Sequence, residues 1–366
     1  MSKVLFLANH FITLYSFRKE LIAELLKQGN EVFLSIPASE DNRYFSDIGC
    51  KIIETQIDRR GMNPLKDFKL IRFYKRIFSE VKPDIIFSYT IKPNIYGTLA
   101  SNGKYRQVCN ITGTGATFLR KSAVSTICKV LYRVSVKRCY KVFFQNAGDY
   151  AFFKNNRLIR DNFGMLPGSG CNLEEHPYCK MPTNDALRFI FIGRVMQLKG
   201  IDEYLDCAKT IKAEYPATEF YIAGWNEEEK YKQIIAEYDK CGIVEYIGFR
   251  KDINEWIRKC HCTVLPSHGG EGVPNVLLES AATGRICIAS DINGSRDVIE
   301  DGKTGFLFEA GNSHELTECV RKIITMTSEQ REQMGLAGRR KVERGFDRKL
   351  VIDAYMRELG MATDNG

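Results

Sequence analysis

Residues 262–290 read CTVLPSHGGEGVPNVLLESAATGRICIAS. Two short apolar runs, Cys262–Leu265 and Ile286–Ala289, flank an apolar helical stretch that opens at Pro274. Proline suits a first helical position, because the N–H it lacks would have no intrahelical acceptor there. A strand, a crossover helix and a second strand make a βαβ unit, whose strands lie parallel. The spacing therefore predicts a doubly wound α/β sheet, with ligands bound beyond the carboxyl ends of its strands.

The pattern extends outward in both directions. Arg188–Ile192, Glu219–Ala223 and Val244–Ile247 read as further strands of the same half, and Val4–Ala8, Glu31–Ile36, Asp84–Ser88 and Lys141–Phe144 as strands of the first half. Ser16–Gln28 reads as a helix, with Phe17, Leu21 and Leu25 spaced by four and Gly29 as its stop. A last helix covers Asp347–Leu359, and MATDNG at 361–366 is expected to fray. With 366 residues, 44% of them hydrophobic, the chain accommodates two domains with separate cores. The aperiodic, Gly- and Pro-rich residues 166–182 read as the linker between a domain over 1–165 and a domain over 183–345, and 346–366 are expected to pack back on the first.

Composition narrows the class. The 12 cysteines are scattered, and the tightest pair, Cys260 and Cys262, is a C-x-C rather than a zinc or redox spacing, which reads as buried thiols in a reducing compartment. The opening MSKVLFLANHF is too short an apolar run for a signal peptide and reads as a first strand. No stretch approaches the ~18–20 uncharged residues of a membrane span, so a cytoplasmic or surface-attached protein is expected. Charge is uneven. Residues 1–170 carry 27 Lys plus Arg against 13 Asp plus Glu, a net +14, and the remainder is −6. A basic first half points to an anionic counterpart.

Two constellations sit just after strands of the second half. GRVMQLKG, 193–200, places Arg194 and Lys199 in a glycine-bounded loop, where two cations can hold a diphosphate and neutralise a leaving nucleotide. SHGGEGVPNVLLESAATG, 267–284, leads Glu271 into a helix start whose free N–H groups favour phosphate. Asn275 and Glu279 share a face of that helix, and Glu271 lies eight positions before Glu279. Carboxylates so placed can accept paired hydroxyls, one set on a sugar and one on a ribose.

EGVPNVLLE at 271–279 resembles the Glu-x7-Glu signature of the retaining glycosyltransferases of family 4, which have the GT-B fold, and GRVMQLKG resembles that family's Arg/Lys diphosphate motif. GSGCNLEEH, YIGFRKDI at 246–253, TVLPS and ASDINGSRDVIEDGKTGFLF at 289–308 follow in family order, so the resemblance covers essentially the whole second half. It implies two facing Rossmann-like domains with parallel sheets and an interdomain cleft. It assigns Arg194 and Lys199 to the donor diphosphate, Glu271 to the donor sugar and Glu279 to the ribose. Gly193 and the segment Gly272, Val273, Pro274, Asn275 and Val276 would supply backbone groups to donor phosphate and sugar, and Phe249 and Arg250 would flank the base. No metal or other cofactor is implied; the nucleotide-sugar is a substrate, and the chain contains no Asp-x-Asp.

The first half matches more loosely. NHFITLYSFRKEL, SYTIKPNIYGTLA and NITGTGATF resemble members that extend lipid-linked oligosaccharides or capsular repeats. Asn9, Arg18, Thr112, Gly113, Thr114 and Gly115 are the acceptor and cleft residues this implies. Arg18 would meet a phosphate, or else lie on a helix surface. Many relatives carry a histidine where this chain has Thr112 and Thr114. ITGTGATF also suggests a dinucleotide loop, but Phe118 stands where the third glycine of the fingerprint belongs.

Lys129, Arg133, Lys137 and Lys141 recur every four residues on an expected helix beside Ile127, Val130, Leu131 and Val134. Lys66, Lys69, Arg72 and Arg76 make a similar stripe beside Leu65, Phe68, Phe73 and Ile77. Basic amphipathic helices favour anionic membrane surfaces. The sequence thus predicts a glycosyltransferase that uses a UDP-sugar and a lipid-linked acceptor, peripheral on the inner face of the cell membrane. Two alternatives differ in class. One is a GT-B epimerase, which would turn over without an acceptor. The other is a nucleic-acid binder, for which the chain offers charge but no recognisable module.

Overall fold

The computed structural model describes residues 1–58, 63–119, 122–183 and 186–360. The terminal MATDNG lies outside them. The chain divides into two units, one of Met1–Ser169 with the segment that starts at Val351, the other of Gly170–Leu350. The stretch expected as a linker is thereby split. From Gly170 on it belongs to the second unit, where Cys171 is fully buried and its N–H donates to the Phe346 carbonyl.

The first unit is built on seven parallel strands, β1 (Lys3–Leu7), β2 (Glu31–Ile36), β3 (Lys51–Glu54), β4 (Ile85–Tyr89), β5 (Arg106–Ile111), β6 (Lys141–Phe144) and β7 (Phe163–Met165), in the order β3-β2-β1-β4-β5-β6-β7. Its helices are α1 (Phe11–Lys27), α2 (Arg43–Asp47), α3 (Pro64–Val81), α4 (Ile91–Ser101), α5 (Ala116–Leu119), α6 (Ala123–Ser135) and α7 (Ala147–Asn155). Leu14, Leu21, Ile22 and Leu25 of α1 share one core with Phe45 of α2 and with Val351, Tyr355 and Met356 of the terminal helix. The other face of the sheet is covered by α3, α4, α6 and α7, through Leu70, Tyr74, Ile95, Tyr132 and Phe153. Strands buried on both faces explain the apolar runs Val4–Leu7 in β1 and Ile85–Phe87 in β4.

The second unit repeats the plan with six parallel strands, β8 (Arg188–Ile192), β9 (Glu219–Ala223), β10 (Glu245–Gly248), β11 (Cys262–Leu265), β12 (Ile286–Ser290) and β13 (Gly305–Phe308), in the order β10-β9-β8-β11-β12-β13. Its helices are α8 (Ile201–Glu214), α9 (Lys230–Lys240), α10 (Ile253–Lys259), α11 (Asn275–Ala282), α12 (Asn293–Val298), α13 (Ser313–Thr325), α14 (Ser328–Gly345) and the start of α15 (Arg348–Leu359).

One sequence expectation is corrected here. The four-residue basic period does not run along a single helix. Lys129 and Arg133 lie on α6, Lys137 follows in a 3-10 turn over Val136–Arg138, and Lys141 opens β6, where its ammonium pairs with Glu358. The chain leaves the helical path at Cys139, which is extended.

Candidate functional site

The loop after β8 and the loop after β11 are tied together at the carboxyl end of the second sheet. Val195 is fully buried and its N–H donates to the Trp225 carbonyl, which fixes the path of the first loop. Gln197–Lys199 form a 3-10 turn, and Gly200, at φ +74°, then starts α8. A Cβ on Gly200 would fall 1.9 Å from the Pro266 carbonyl oxygen, so only glycine lets the two loops approach this closely. The His268 N–H donates to the Leu198 carbonyl at 2.9 Å, completing the tie.

Two of the residues singled out from sequence meet here. The Lys199 ammonium is ion-paired with Glu271, whose Oε1 also accepts from the Ser267 hydroxyl at 3.0 Å. Burial pushes the Glu271 carboxyl up, but Lys199, Ser267 and Arg194 outweigh it, and the carboxyl is held below its ordinary range. Arg194 extends along the same rim and faces Glu227 at 3.7 Å. Glu271 is therefore an ionised group among cations, rather than a protonated acid.

Beyond Glu271 the backbone turns through Gly272 and Val273 into α11. Pro274 caps this helix without a side-chain hydrogen bond, so the first N–H groups of α11 are left to an external acceptor. Asn275 donates weakly to the Gly170 carbonyl, at 3.4 Å, and Val276 is partly buried. A Cβ on Gly294 would fall 1.5 Å from the Gly272 carbonyl oxygen; the start of α12 presses on this turn and holds it. Glu279, one turn into α11, is half-buried, and desolvation pushes its carboxyl up to about 7 against the opposing pull of Arg348. Such a carboxylate gains from a ligand that offers it hydroxyl donors.

At the ends of β9 and β10, Trp225 and Phe249 are exposed and lie 5.6 Å apart between ring centres. Arg250 forks onto Asp252 with two hydrogen bonds, at 2.8 and 2.7 Å. Sequence reading found Phe249 and Arg250 but missed Trp225, which follows a strand and a glycine in the same way as Arg194. It also missed the His268–Glu203 pair at 2.9 Å, which anchors the loop carrying Ser267 and Glu271 to α8. The signal for Trp225 and His268 was their place within three residues of a strand end.

The first unit's strand ends are built differently. Asn9 follows β1, and His10 caps α1 by accepting from the Ile12 N–H. Thr112, Gly113, Thr114 and Gly115 follow β5 and are partly buried, with Gly113 and Gly115 at positive φ. Thr90, after β4, adopts φ +69° and ψ 168° with its buried hydroxyl unbonded, a strained position not noticed in sequence. Arg18 does not lie on a helix surface, one of its two sequence readings. It is 1% exposed, with its guanidinium 5.0 Å over the Tyr89 ring and 5.4 Å over the Tyr355 ring, and it donates to the Tyr89 hydroxyl. It is a core cation stacked between tyrosines.

Comparison with known proteins agrees with this architecture. Residues 181–341 match the model of the group 1 glycosyl transferases, and residues 3–146 match the glycosyl transferase 4-like model. The chain is 24% identical to the N,N'-diacetylbacillosaminyl-diphospho-undecaprenol alpha-1,3-N-acetylgalactosaminyltransferase of Campylobacter jejuni, over 96% of each chain. It is also 24% identical to the capsular polysaccharide biosynthesis glycosyltransferase CapM of Staphylococcus aureus, over 90% of this chain and 84% of that one. Among solved structures, HepE of Anabaena in complex with UDP and glucose matches with a TM-score of 0.80 at 15% identity, over 98% of this chain and 100% of that one. Sucrose-phosphate synthase of Thermosynechococcus elongatus matches at 0.79 and 16%, over 98% of each. With both halves matched and the parallel-sheet plan shared, the chain belongs to the glycosyltransferases of the family 4 type and has the GT-B fold.

Proposed function

We propose that this glycosyltransferase moves a hexose or N-acetylhexosamine from a UDP-sugar, with retention of configuration, to a hydroxyl of a lipid-diphosphate-linked saccharide. The setting is bacterial surface-polysaccharide assembly, and the enzyme works as a peripheral protein on the inner face of the membrane. The observation that carries the reading is the Lys199–Glu271–Ser267 cluster beside the uncapped start of α11, with Arg194 on the same rim. The Campylobacter relative's named acceptor and the UDP bound to HepE support the acceptor and the donor.

In this reading the donor diphosphate lies against Lys199, Arg194 and the first N–H groups of α11. It competes with Glu271 for the Lys199 ammonium, and the Glu271 carboxylate then accepts from hydroxyls of the donor sugar. As the glycosidic bond breaks, negative charge grows on the diphosphate and the two cations hold it more tightly than in the ground state, which lowers the barrier. Trp225 and Phe249 give the uracil an apolar edge, and Glu279 accepts from the ribose. Cations and helix terminus supply the neutralisation, so no metal is required.

Purified enzyme incubated with UDP-sugars should release UDP only when a lipid-diphosphate saccharide is present, and the anomeric configuration of the product should match that of the donor. The rate should survive a chelator. Conversion of the UDP-sugar with no acceptor would instead mark an epimerase, and an inverted product would remove the retaining assignment.

A further inference from the structure

We propose, resting on the donor site assigned to Arg194, that Glu227 is a positioning residue: held by the indole N–H of Trp225, it is the restrained counter-ion of Arg194 and links the base end of the site to the diphosphate end. The loops after β8 and β9 are joined by an extended ladder. A Cβ on Gly224, at φ +145°, would fall 1.8 Å from the Gly193 carbonyl oxygen, so glycine alone lets the two loops meet. The Val195 N–H donates to the Trp225 carbonyl at 2.9 Å and the Glu227 N–H to the Val195 carbonyl at 3.0 Å. These bonds carry the parallel pairing past the strand ends and set Val195 opposite Asn226. Side chains alternate along such a ladder, and paired residues share a face. Val195 is fully buried, so Arg194, Trp225 and Glu227 stand together on the other face.

Glu227 divides its carboxylate between the other two. Its Oε2 accepts from the Trp225 indole N–H at 3.1 Å, while Oε1 faces the Arg194 guanidinium at 3.7 Å. The two glutamates that follow turn elsewhere: Glu228 accepts from the Gln197 N–H at 3.4 Å, and Glu229 pairs with Lys232. A carboxylate and a guanidinium left to themselves close into a two-bond fork at about 2.7–2.9 Å. Arg250 and Asp252 do so in the neighbouring loop, at 2.8 and 2.7 Å. Arg194 and Glu227 do not. The indole bond occupies one carboxylate oxygen, so the fork is prevented and Arg194 is not locked away from an arriving diphosphate.

The base end then governs the cation end. A base stacked on Trp225 and Phe249 fixes the indole, which tightens its hold on Glu227 and leaves Arg194 to the diphosphate. With the N–H removed, the carboxylate is released to fork onto Arg194 and competes with the diphosphate for it. A nucleotide that fills both ends therefore gains more over free pyrophosphate than its base contacts alone supply. An ion pair at a surface adds little to the stability of a fold, so the worth of Glu227 lies in what it does to Arg194.

The test is calorimetry on the full chain with inorganic pyrophosphate, uridine and UDP. Pyrophosphate should bind about fivefold tighter in saturating uridine than alone, a coupling of the size two linked sites show. Trp225→Phe keeps a ring for the base but has no N–H. It should weaken pyrophosphate by about fivefold, the upper range for a surface ion pair formed in competition, and abolish the coupling to uridine. Glu227→Ala should bind pyrophosphate at least as tightly as the unmodified chain. Trp225→Phe added to it should change nothing further, because the competing carboxylate is gone. Trp225 is exposed and Glu227 partly so, and each variant should keep its Tm. Full pyrophosphate affinity in Trp225→Phe, or the same loss when that change is made in the Glu227→Ala background, would overturn the proposal, while UDP binding by the unmodified chain would keep the donor site. A chain that binds neither UDP nor pyrophosphate would overturn both.

Discussion

The loops at the carboxyl ends of the two sheets differ in kind. After β8 and β11 the second unit gathers ionised groups, Lys199 against Glu271 and Arg194 facing Glu227, beside a helix start with free N–H groups. After β1, β4 and β5 the first unit presents Asn9, Thr90 and Thr112–Gly115, which are neutral, and its nearby cation Arg18 is withdrawn between Tyr89 and Tyr355. Among the described residues, part of the positive charge of this unit stands on helix faces, as with Lys66, Lys69, Arg72 and Arg76 of α3. One fold has been given two chemistries. The charged loops suit a leaving diphosphate, whose charge changes during the reaction. The neutral loops suit sugar hydroxyls, whose charge does not.

Lys199 offers the sharpest test of that contrast. Lys199→Ala should lower kcat by a hundredfold or more, equivalent to about 3–4 kcal/mol of barrier, as expected when a contact to developing charge is lost. Arg194→Ala should act in the same direction. Thr114→Val in the neutral loop should leave UDP affinity unchanged and act on the acceptor KM. Near-normal turnover in both cation variants would break the comparison outright.

Arg18 tests the other side. Arg18→Ala should cost about 2–4 kcal/mol of stability, the range for emptying a buried side chain, read as a lower Tm. Arg18→Met, which keeps most of the volume, should recover the larger part. Neither should alter UDP affinity. A well-folded Arg18→Met with an acceptor KM raised tenfold would mean that the guanidinium reaches a phosphate after all, and the first unit would no longer be the neutral one.

The parts of this molecule that sequence revealed are those where one physical signal acts alone. Glu31–Ile36, Arg188–Ile192, Glu219–Ala223 and Cys262–Leu265 are strands as read, because each is a short apolar run buried from both sides. Arg106–Ile111 escaped notice although it is central. Its Gln107 and Asn110 look like loop residues but are buried in a network with Ser88, Asn94 and Tyr355 that no local pattern displays. Lys51–Glu54 and Phe163–Met165 are edge strands of four and three residues, too short for a periodic pattern to stand out. At the site, spacing showed Lys199 and Glu271 separately, but their pairing spans 72 positions and depends on the Gly200 approach to Pro266. Lys141 was drawn into a helical stripe because residues 136–140 contain neither glycine nor proline to mark the break.

Glu279 gives the smallest of the effects, and one whose direction is opposed in folding and in binding. Its carboxyl titrates near 7 in the folded protein, above the ordinary value of 4.5, because burial disfavours the charge. Between those two values the folded state binds more proton than the unfolded one, so this residue makes stability fall as pH rises from about 4.5 to about 7. A bound ribose would stabilise the ionised form by donating two hydroxyls to it. UDP affinity should then rise with pH across the same window, by up to about tenfold per unit, and level off above 7. Calorimetry in buffers of different ionisation enthalpy should detect proton release on binding near pH 6. Glu279→Gln should weaken UDP by about 1–3 kcal/mol and abolish both the slope and the release. If the slope persists in that variant, the titrating group lies elsewhere, with the phosphate or its cations, and the ribose assignment fails while the contrast between the two sets of loops stands.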